Sequence, residues 1–216
     1  MGSLIYLSAT RPDISQDVHV LRQFVSAPTL VHYATLFRVL CFLRSTISRS
    51  LLYNSDLSLS LQVYSDIEWA DDPDTRCSTI GFCIFLGSSL ISLRSKRQDV
   101  VSRSNTEAEY HAMVDTTLEF QWLSEILCDM GISMVAHVPM HCDSKSVIVI
   151  ASKLVFHDRT KHIEIGCHIT CQEYKKGKIT LPYILFGAQL ADLFTKAQTS
   201  AQFREILFKL SICDPP

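Results

Sequence analysis

The spacing of apolar residues changes near residue 59, and this change limits the folds that the chain can adopt. Before that point apolar residues recur every three or four positions, which predicts a helical hairpin. After it, apolar and polar residues alternate over 61–68, which predicts a strand with one buried face. The sequence thus divides into a helical segment, 1–59, and an α/β segment, 60–213. The residues at helical spacing include Leu30, Tyr33, Leu36, Phe37 and Leu40.

Further strands and helices are predicted along the α/β segment. Two apolar runs, 80–86 and 90–93, are joined by Gly87-Ser88-Ser89, which favours a hairpin turn. A long helix follows from about Thr106 and ends near Gly131. The order β-β-β-α-β-α-α-β-α predicts an α/β fold with a mixed five-stranded sheet flanked by helices. The later elements are a strand in "HVPMHCD", a short helix or buried strand in "SKSVIVIAS", a helix over 159–176, a strand in "KITLPYIL" and a helix over 189–210.

The net charge and the hydropathy of the chain limit the kinds of molecule that it is expected to bind. The net charge of −2 provides no general attraction to nucleic acid, so such binding must depend on a local basic patch. The N-terminal residues lack the basic and apolar regions of a signal peptide, and no apolar run is long enough to span a bilayer. We expect an intracellular protein, in the cytoplasm or nucleus, with no membrane partner.

Two carboxylates stand two residues apart at the start of the long helix, in "VSRSNTEAEYHAM". Ser104-x-x-Glu107 and Thr106-x-x-Glu109 both have the spacing of a capping box, in which the glutamate closes the helix N-terminus. Capping explains one glutamate better than two, because positions i and i+2 point to different sides of a helix. One of these carboxylates is therefore available for another role.

Several motifs occur together and in order along the chain. They are "GSLIYLSATRPDIS", "YSDIEWADDPDTRCSTIGFCIFLGSSLISLRSKRQDVVSRSNTEAEYHAM", "HCDSKSVIVIAS", "VFHDRTKHIEI" and "QLADLFTKA". On these motifs the chain resembles the ribonuclease H domain of copia-type retrotransposon Pol polyproteins, preceded by the end of the reverse transcriptase. The resemblance implies a ribonuclease H fold that cuts the RNA strand of RNA–DNA hybrids with two divalent metal ions, Mg²⁺ or Mn²⁺.

The resemblance also implies a catalytic set of four metal-binding carboxylates. Asp66 in "YSD" matches the first and Glu109 in "TEAEY" the second, which leaves Glu107 for capping. Asp143 in "HCDSKS" matches the third, and Asp192 in "QLADLF" matches the fourth. Carboxylates are suitable ligands because Mg²⁺ prefers oxygen and keeps several of its waters. Taken singly, Asp143 could instead cap a helix, and Asp192 could be a favourable charge in a first helical turn.

Nucleic-acid contacts are predicted at two places. Ser104, Asn105 and Thr106 lie at a helix N-terminus, where exposed backbone N–H groups favour an anion. Capping is an equally good explanation of these three residues. The densest basic cluster in the chain suits a phosphate backbone, although it could equally be solvated. That cluster consists of Arg94, Lys96, Arg97 and Arg103.

The chain also departs from the family pattern at several positions, including Leu93 and Gly166. Two hypotheses from different classes follow. In the first, the chain is a metal-dependent nuclease that acts on RNA–DNA hybrids. In the second, it is a catalytically inactive, degenerate retroelement remnant that only folds or binds nucleic acid.

The helical segment, 1–59, resembles the C-terminal part of a reverse transcriptase without the nucleotide site of that enzyme. We therefore expect no polymerase activity. Such a segment would normally pack on the rest of a polymerase, so an exposed apolar patch is expected here. Reverse transcriptase segments of related polyproteins are the corresponding partners.

Overall fold

A mixed sheet of five strands lies at the centre of this computed structural model, which describes residues 1–55, 58–72, 74–98, 100–132, 137–152 and 164–214. The strands are β2 (Leu61–Glu68), β3 (Thr79–Leu86), β4 (Ser89–Arg97), β5 (Val138–His141) and β6 (Ile179–Thr180). Their order across the sheet is β4-β3-β2-β5-β6. The first three strands form an antiparallel meander, and β5 and β6 run parallel to β2. The predicted mixed five-stranded sheet flanked by helices is confirmed.

Helices cover both faces of this sheet. The long helix α4 (Asn105–Asp129) packs on β2 and, with α5 (Lys145–Ser152) and α6 (Glu164–Lys175), encloses the larger core. The opposite face is covered by α7 (Asp192–Thr195) and α8 (Ser200–Lys209), which enclose a second core. Alternation along β2 sends successive side chains into these two cores.

Several boundaries differ from the predicted ones. Strand β4 continues to Arg97, because its residues pair with β3 as far as Thr79. Strand β6 stops at Thr180, and only an isolated bridge at Tyr183 continues the pairing with Cys142, because Pro182 has no N–H to donate. The undecided segment over 145–152 is the helix α5. The helix predicted over 159–176 is seen from Glu164, and residues 159–163 lie outside the described part of the chain.

The helix predicted over 189–210 is wrong, because two helices occupy this range. Helix α7 ends at Thr195, and Lys196 has an extended backbone with φ −124° and ψ 148°. The Thr199 hydroxyl then accepts a hydrogen bond from the Gln202 amide and begins α8. Because of this break, the Lys196 side chain points in a different direction from the one it would have in a continuous helix.

The first fifty residues form three helices, α1 (Gly2–Leu7), α2 (Ser15–Gln23) and α3 (Leu30–Ser45), around a small core of their own. A buried ion pair between Arg11 and Asp13, with 2.7 Å between Nη2 and Oδ2, stabilises the turn before α2. Arg11 also donates to the carbonyl oxygen and hydroxyl of Thr46 after α3. Both charges therefore have partners in the interior, as buried charges require.

Several contacts attach these helices to the rest of the chain, among them a short strand pair and a side-chain hydrogen bond. Strand β1 (Ser50–Leu51) pairs antiparallel with β7 (Ile212–Cys213) near the C-terminus. The Gln16 amide in α2 donates to the carbonyl oxygen of Thr195 in α7, with 3.4 Å between the atoms. Residues of the predicted helical segment thus contact both β7 and α7, two elements that lie at the second core.

The outer side of α3 exposes apolar side chains, as expected from its helical spacing. Leu30 is 88% exposed, and Tyr33, Phe37 and Leu40 follow along the same side at 58%, 51% and 45%. The rings of Tyr33 and Phe37 contact each other edge to face. Within the described residues, no helix combines the length and the hydropathy needed to cross a bilayer.

Candidate active site

Asp66 lies near the end of the central strand β2, and its side chain points toward α7. It is only 6% exposed. Its Oδ2 accepts a hydrogen bond from the Thr195 hydroxyl, and its Oδ1 lies 3.1 Å from the Lys196 ammonium. Burial raises the pKa of Asp66 to about 6, because Lys196 opposes that effect only in part and Asp192 adds to it.

Asp192 is the first residue of α7 and is also buried. Its Oδ1 lies 3.0 Å from the Lys196 ammonium, so one lysine bridges Asp66 and Asp192. Burial raises the pKa of Asp192, Lys196 opposes the rise, and Asp143 adds to it. The cation between the two buried carboxylates offsets their mutual repulsion.

Asp143 lies two residues after the last residue of β5, beside the end of β2. The parallel pairing of Tyr64 with His141 places Asp66 and Asp143 on the same edge of the sheet. Burial raises the pKa of Asp143, and the Asp66 charge raises it further. Helix α5 begins at Lys145, so Ser144 and not Asp143 stands at its N-cap position. The capping explanation for Asp143 is therefore weakened.

Glu109 lies in the second turn of α4 and is half-buried. Its Oε1 accepts a hydrogen bond from the Asn105 amide at 2.7 Å. Its Oε2 is buried and has no hydrogen-bond partner among the described residues. Burial raises the pKa of Glu109, hydrogen bonds with Ser144 and Asn105 oppose the rise, and the charges of Asp143 and Asp66 add to it. An unpaired buried carboxylate oxygen is costly unless a cation or a donor satisfies it.

The four carboxylates thus converge at one end of the sheet from two strands, a long helix and a short one. Burial raises the pKa of all four carboxyl groups, and the charge of at least one other member of the cluster adds to each rise, as expected for acidic groups that share a small space. Clusters of this kind are typical of sites that bind a multivalent cation. The residues are Asp66, Glu109, Asp143 and Asp192.

The donor set of this cluster fits a hard divalent cation, but the present geometry does not enclose one. Carboxylate oxygens are the ligands that Mg²⁺ prefers, and Glu109 Oε2 is available to such an ion. Within the described residues, however, no three His, Cys, Asp or Glu side chains lie close enough together to hold a metal ion. The Lys196 ammonium stands between two of the four carboxylates.

The predicted contacts at the start of α4 lie beside this cluster. Ser104 is the N-cap residue of α4, and its hydroxyl accepts a hydrogen bond from the Glu107 amide at 3.2 Å. Asn105 is exposed and holds Glu109, while Thr106 is half-buried. The positions of these three residues agree both with helix capping and with contact to a ligand.

The predicted basic cluster lies along β4 and the loop that leads to α4, not within a single loop. Arg97 pairs with Asp72 at 2.9 Å, and Arg94 lies over the Phe82 ring with its guanidinium 5.3 Å from the ring centroid. Lys96 and Arg103 are exposed. A groove of about 490 Å³ runs between β4 and α4 and is lined in part by Lys96, Arg97 and Arg103.

Comparisons with known proteins were made for sequence and for structure. No family model matches the chain. The chain is 37% identical over its whole length to the retrovirus-related Pol polyprotein from transposon RE1 of Arabidopsis thaliana and 36% identical to that from transposon RE2. It is 32% identical over 94% of its length to the Pol polyprotein from transposon TNT 1-94 of Nicotiana tabacum. The chain belongs to the copia-type Pol polyprotein family. It spans 15% of the length of each of these polyproteins.

Two solved structures align with this copia-type chain at a TM-score of 0.45. The first is the N-terminal RNase H domain of a Mycobacterium tuberculosis protein, with 13% identity, 70% of this chain covered and 98% of that one. The second is an RNase H1 in complex with an RNA/DNA hybrid, with 14% identity and coverage of 63% and 94%.

Two residues of the site were missed by the sequence analysis. Lys196 bridges two of the carboxylates, and Gln189 donates from its buried amide to the carbonyl oxygen of Ser65 in β2 at 2.9 Å. Both residues lie in the copia-type motif "QLADLFTKA". Their presence in the motif that contains Asp192 was the available signal, but neither residue type is a preferred ligand of Mg²⁺.

Proposed function

We propose that the chain is a metal-dependent endonuclease that cleaves the RNA strand of RNA–DNA hybrids. The observation that carries the proposal is the convergence of Asp66, Glu109, Asp143 and Asp192 at one end of the sheet in a copia-type Pol chain. Ribonuclease H-type ancestry follows from that family and this fold. The cleavage reaction and its metal requirement are the proposed part.

In this proposal the four carboxylates bind two Mg²⁺ or Mn²⁺ ions. Such ions activate a water molecule and stabilise the leaving oxygen in the hydrolysis of a phosphodiester. Asp66 and Asp143 supply oxygens from adjacent strand ends, Glu109 from the side of α4, and Asp192 from α7. Contributions from four separate elements allow small adjustments of each ligand around the ions.

The hybrid would contact the surface that begins at the N-terminus of α4. Ser104, Asn105 and Thr106 are close to Glu109, and the groove beside β4 continues from them with exposed cations. Polyanions bind to such surfaces through phosphate contacts that depend on the salt concentration. In this proposal Asn105 contacts the hybrid and also orients Glu109, since its amide donates a hydrogen bond to Glu109 Oε1.

The proposal is tested by incubating the purified chain with labelled substrates. An RNA–DNA hybrid, a DNA duplex and an RNA duplex are each used with Mg²⁺, with Mn²⁺ and with EDTA. We expect metal-dependent cleavage of the RNA strand of the hybrid alone. Asp66→Asn should abolish it, and Asp129→Asn, at an exposed position at the end of α4, is the matched control.

The same experiment decides between the enzyme and the inactive remnant. Hybrid binding without cleavage under any metal condition would support the remnant and overturn the nuclease. Cleavage that survives Asp66→Asn but is lost on further purification would also overturn it, because it would indicate a contaminating nuclease.

We further propose that the outer side of α3 contacts reverse transcriptase segments of related polyproteins. Four of the exposed apolar side chains of α3, Leu30, Tyr33, Phe37 and Leu40, recur every three or four positions and so lie along one side of the helix. Tyr33→Ser with Phe37→Ser should abolish co-purification with such a segment and leave hybrid cleavage unchanged. Unchanged co-purification would overturn this partner.

A further inference from the structure

We infer that Lys196 is a built-in counter-cation whose ammonium must leave Asp66 and Asp192 before a divalent ion can bind. The inference rests on the proposed metal-binding role of the carboxylate cluster. It concerns a positioning residue and not a metal ligand, because an ammonium group has only protons to offer.

The geometry places this ammonium where a cation is most needed. Its Nζ lies 3.1 Å from Asp66 Oδ1 and 3.0 Å from Asp192 Oδ1. The two aspartate side chains are 3% and 4% exposed, so water screens their charges poorly. Without a cation between them, both buried carboxylates would lack a charged partner, which is strongly destabilising.

The local backbone directs the lysine into this position. Because α7 ends at Thr195, the extended conformation at Lys196 carries its side chain back over the end of the helix. The Gln198 amide donates to the carbonyl oxygens of Asp192 and Lys196 and stabilises that turn. A continuous helix, as predicted from the sequence, would lack this turn.

The ammonium also has a path away from the site. The Lys196 side chain is 21% exposed, whereas the aspartates are nearly inaccessible. A lysine side chain has a flexible stem of four carbons, so its charged end can move to solvent while its backbone stays in place. Metal binding then needs a change of lysine rotamer and no rearrangement of the sheet.

Charge explains why lysine and metal exclude each other. A divalent ion held by Asp66 and Asp192 would lie within a few ångströms of an ammonium that still contacted the same oxygens, and like charges repel strongly at that distance. The absence of a three-carboxylate metal cluster among the described residues agrees with this competition. The lysine keeps the metal-free site folded and weakens its affinity for the ion.

The test compares Mg²⁺ binding by the full chain and by Lys196→Met, which is one atom shorter, keeps the unbranched shape of the side chain and removes its charge. We expect the variant to melt at a lower temperature in EDTA, and its Kd for Mg²⁺ by calorimetric titration to fall on the order of tenfold. Lys209→Met in α8 removes an exposed cation that pairs with Glu205 and should change neither value. An equal or higher Kd for Mg²⁺ in Lys196→Met would overturn the inference.

A second measurement uses the unaltered chain, in case Lys196→Met does not fold. Carbon-13 at the lysine Cε positions allows the Lys196 signal to be followed by NMR and assigned with Lys196→Arg. Addition of Mg²⁺ should shift this signal to that of a solvated lysine in wild type and not in Asp66→Asn. A Lys196 signal unchanged at saturating Mg²⁺ would overturn the inference.

The two proposals can fail separately. Tighter Mg²⁺ binding by Lys196→Met in a chain that never cleaves a hybrid would support the inference and overturn the nuclease. Hybrid cleavage by wild type, with no gain in Mg²⁺ affinity in Lys196→Met, would support the nuclease and overturn the inference.

Discussion

The Glu107 carboxylate accepts a hydrogen bond from the Arg103 backbone amide, with 2.7 Å between N and Oε2, and so closes the N-terminus of α4. Glu109, two residues later, lies with the carboxylate cluster instead. Glu107→Gln should therefore cost at most about 1 kcal/mol of unfolding free energy and leave hybrid cleavage intact. Glu109→Gln should retain the fold and abolish cleavage. Denaturant unfolding and cleavage assays on both variants check this, and the opposite pattern would exchange the two roles.

Metal should stabilise the folded chain, because the four carboxylates are crowded and desolvated. Mg²⁺ at 100 times its Kd should add about 2.7 kcal/mol to the unfolding free energy, seen as a higher melting temperature. Asp66→Asn should lose most of this gain, since it removes a charge from the centre of the cluster. Thermal melts with Mg²⁺ and with EDTA measure it, and equal gains in both proteins would argue against Asp66 as a ligand.

Substitution of Asp143 should affect cleavage without affecting folding. Because Ser144 stands at the N-cap of α5, Asp143→Asn should change stability little and should leave hybrid binding intact. Single-turnover cleavage should fall about 100-fold or more, because a neutral amide is a weaker ligand for a hard cation. Unchanged cleavage would mean that Asp143 has only a structural role.

Gly81 should tolerate no side chain, because α7 lies directly against it. It pairs with Asp66 across the sheet, and a Cβ here would lie 2.5 Å from Thr195 Cγ2 and 3.0 Å from the Ala191 carbonyl oxygen. Gly81→Ala should destabilise the fold by about 1–3 kcal/mol and reduce cleavage by displacing Asp192. The control is Gly187→Ala, where a Cβ would meet nothing within 4 Å. Equal stability of the two variants would contradict the close packing.

Acid should loosen the packing of α2 against β4 through His19. Burial lowers the pKa of His19, and the charges of Arg22 and Arg97 contribute. The unfolded chain then binds more protons than the folded chain at pH values between the lowered pKa and about 6.5, so the stability is fully present above about pH 6.5 and is lost as the pH falls through the lowered pKa of the folded chain. Denaturant unfolding between pH 5 and 7.5 should show this loss in wild type and less of it in His19→Gln. Parallel pH profiles would exclude His19 as the cause.

The parts that sequence predicted well are those that depend on local pattern. Alternation over β2 and the turn at Gly87 located the meander, and the left-handed Gly131 marked the end of α4. The family motifs then identified Asp66 and Asp143, which the structure brings to the same edge of the sheet. Each of these inferences needs only residues that are close in sequence, or a motif that contains the site residue itself.

The features of the fold and of the site that the sequence did not predict depend on contacts between residues that are far apart in the sequence. Residues 196–199 contain neither Gly nor Pro, so local propensity favours an unbroken last helix. The ion pair of Lys196 with Asp66, 130 residues earlier, accompanies the break instead. Strand β1 was missed for a similar reason, because two residues have no detectable period and pair only with the far end of the chain.

The pairing of β1 with β7 has a consequence for how the chain can be divided. A fragment that starts at residue 60 would contain every carboxylate of the cluster, yet it would lose β1 and the contact from Gln16 to Thr195. The edge of β7 would then be open to pairing with another molecule. We therefore expect the smallest autonomously folding fragment that contains the carboxylate cluster to begin upstream of α2, so that the domain boundary predicted near residue 59 and the limit of the cooperative folding unit fall at different residues.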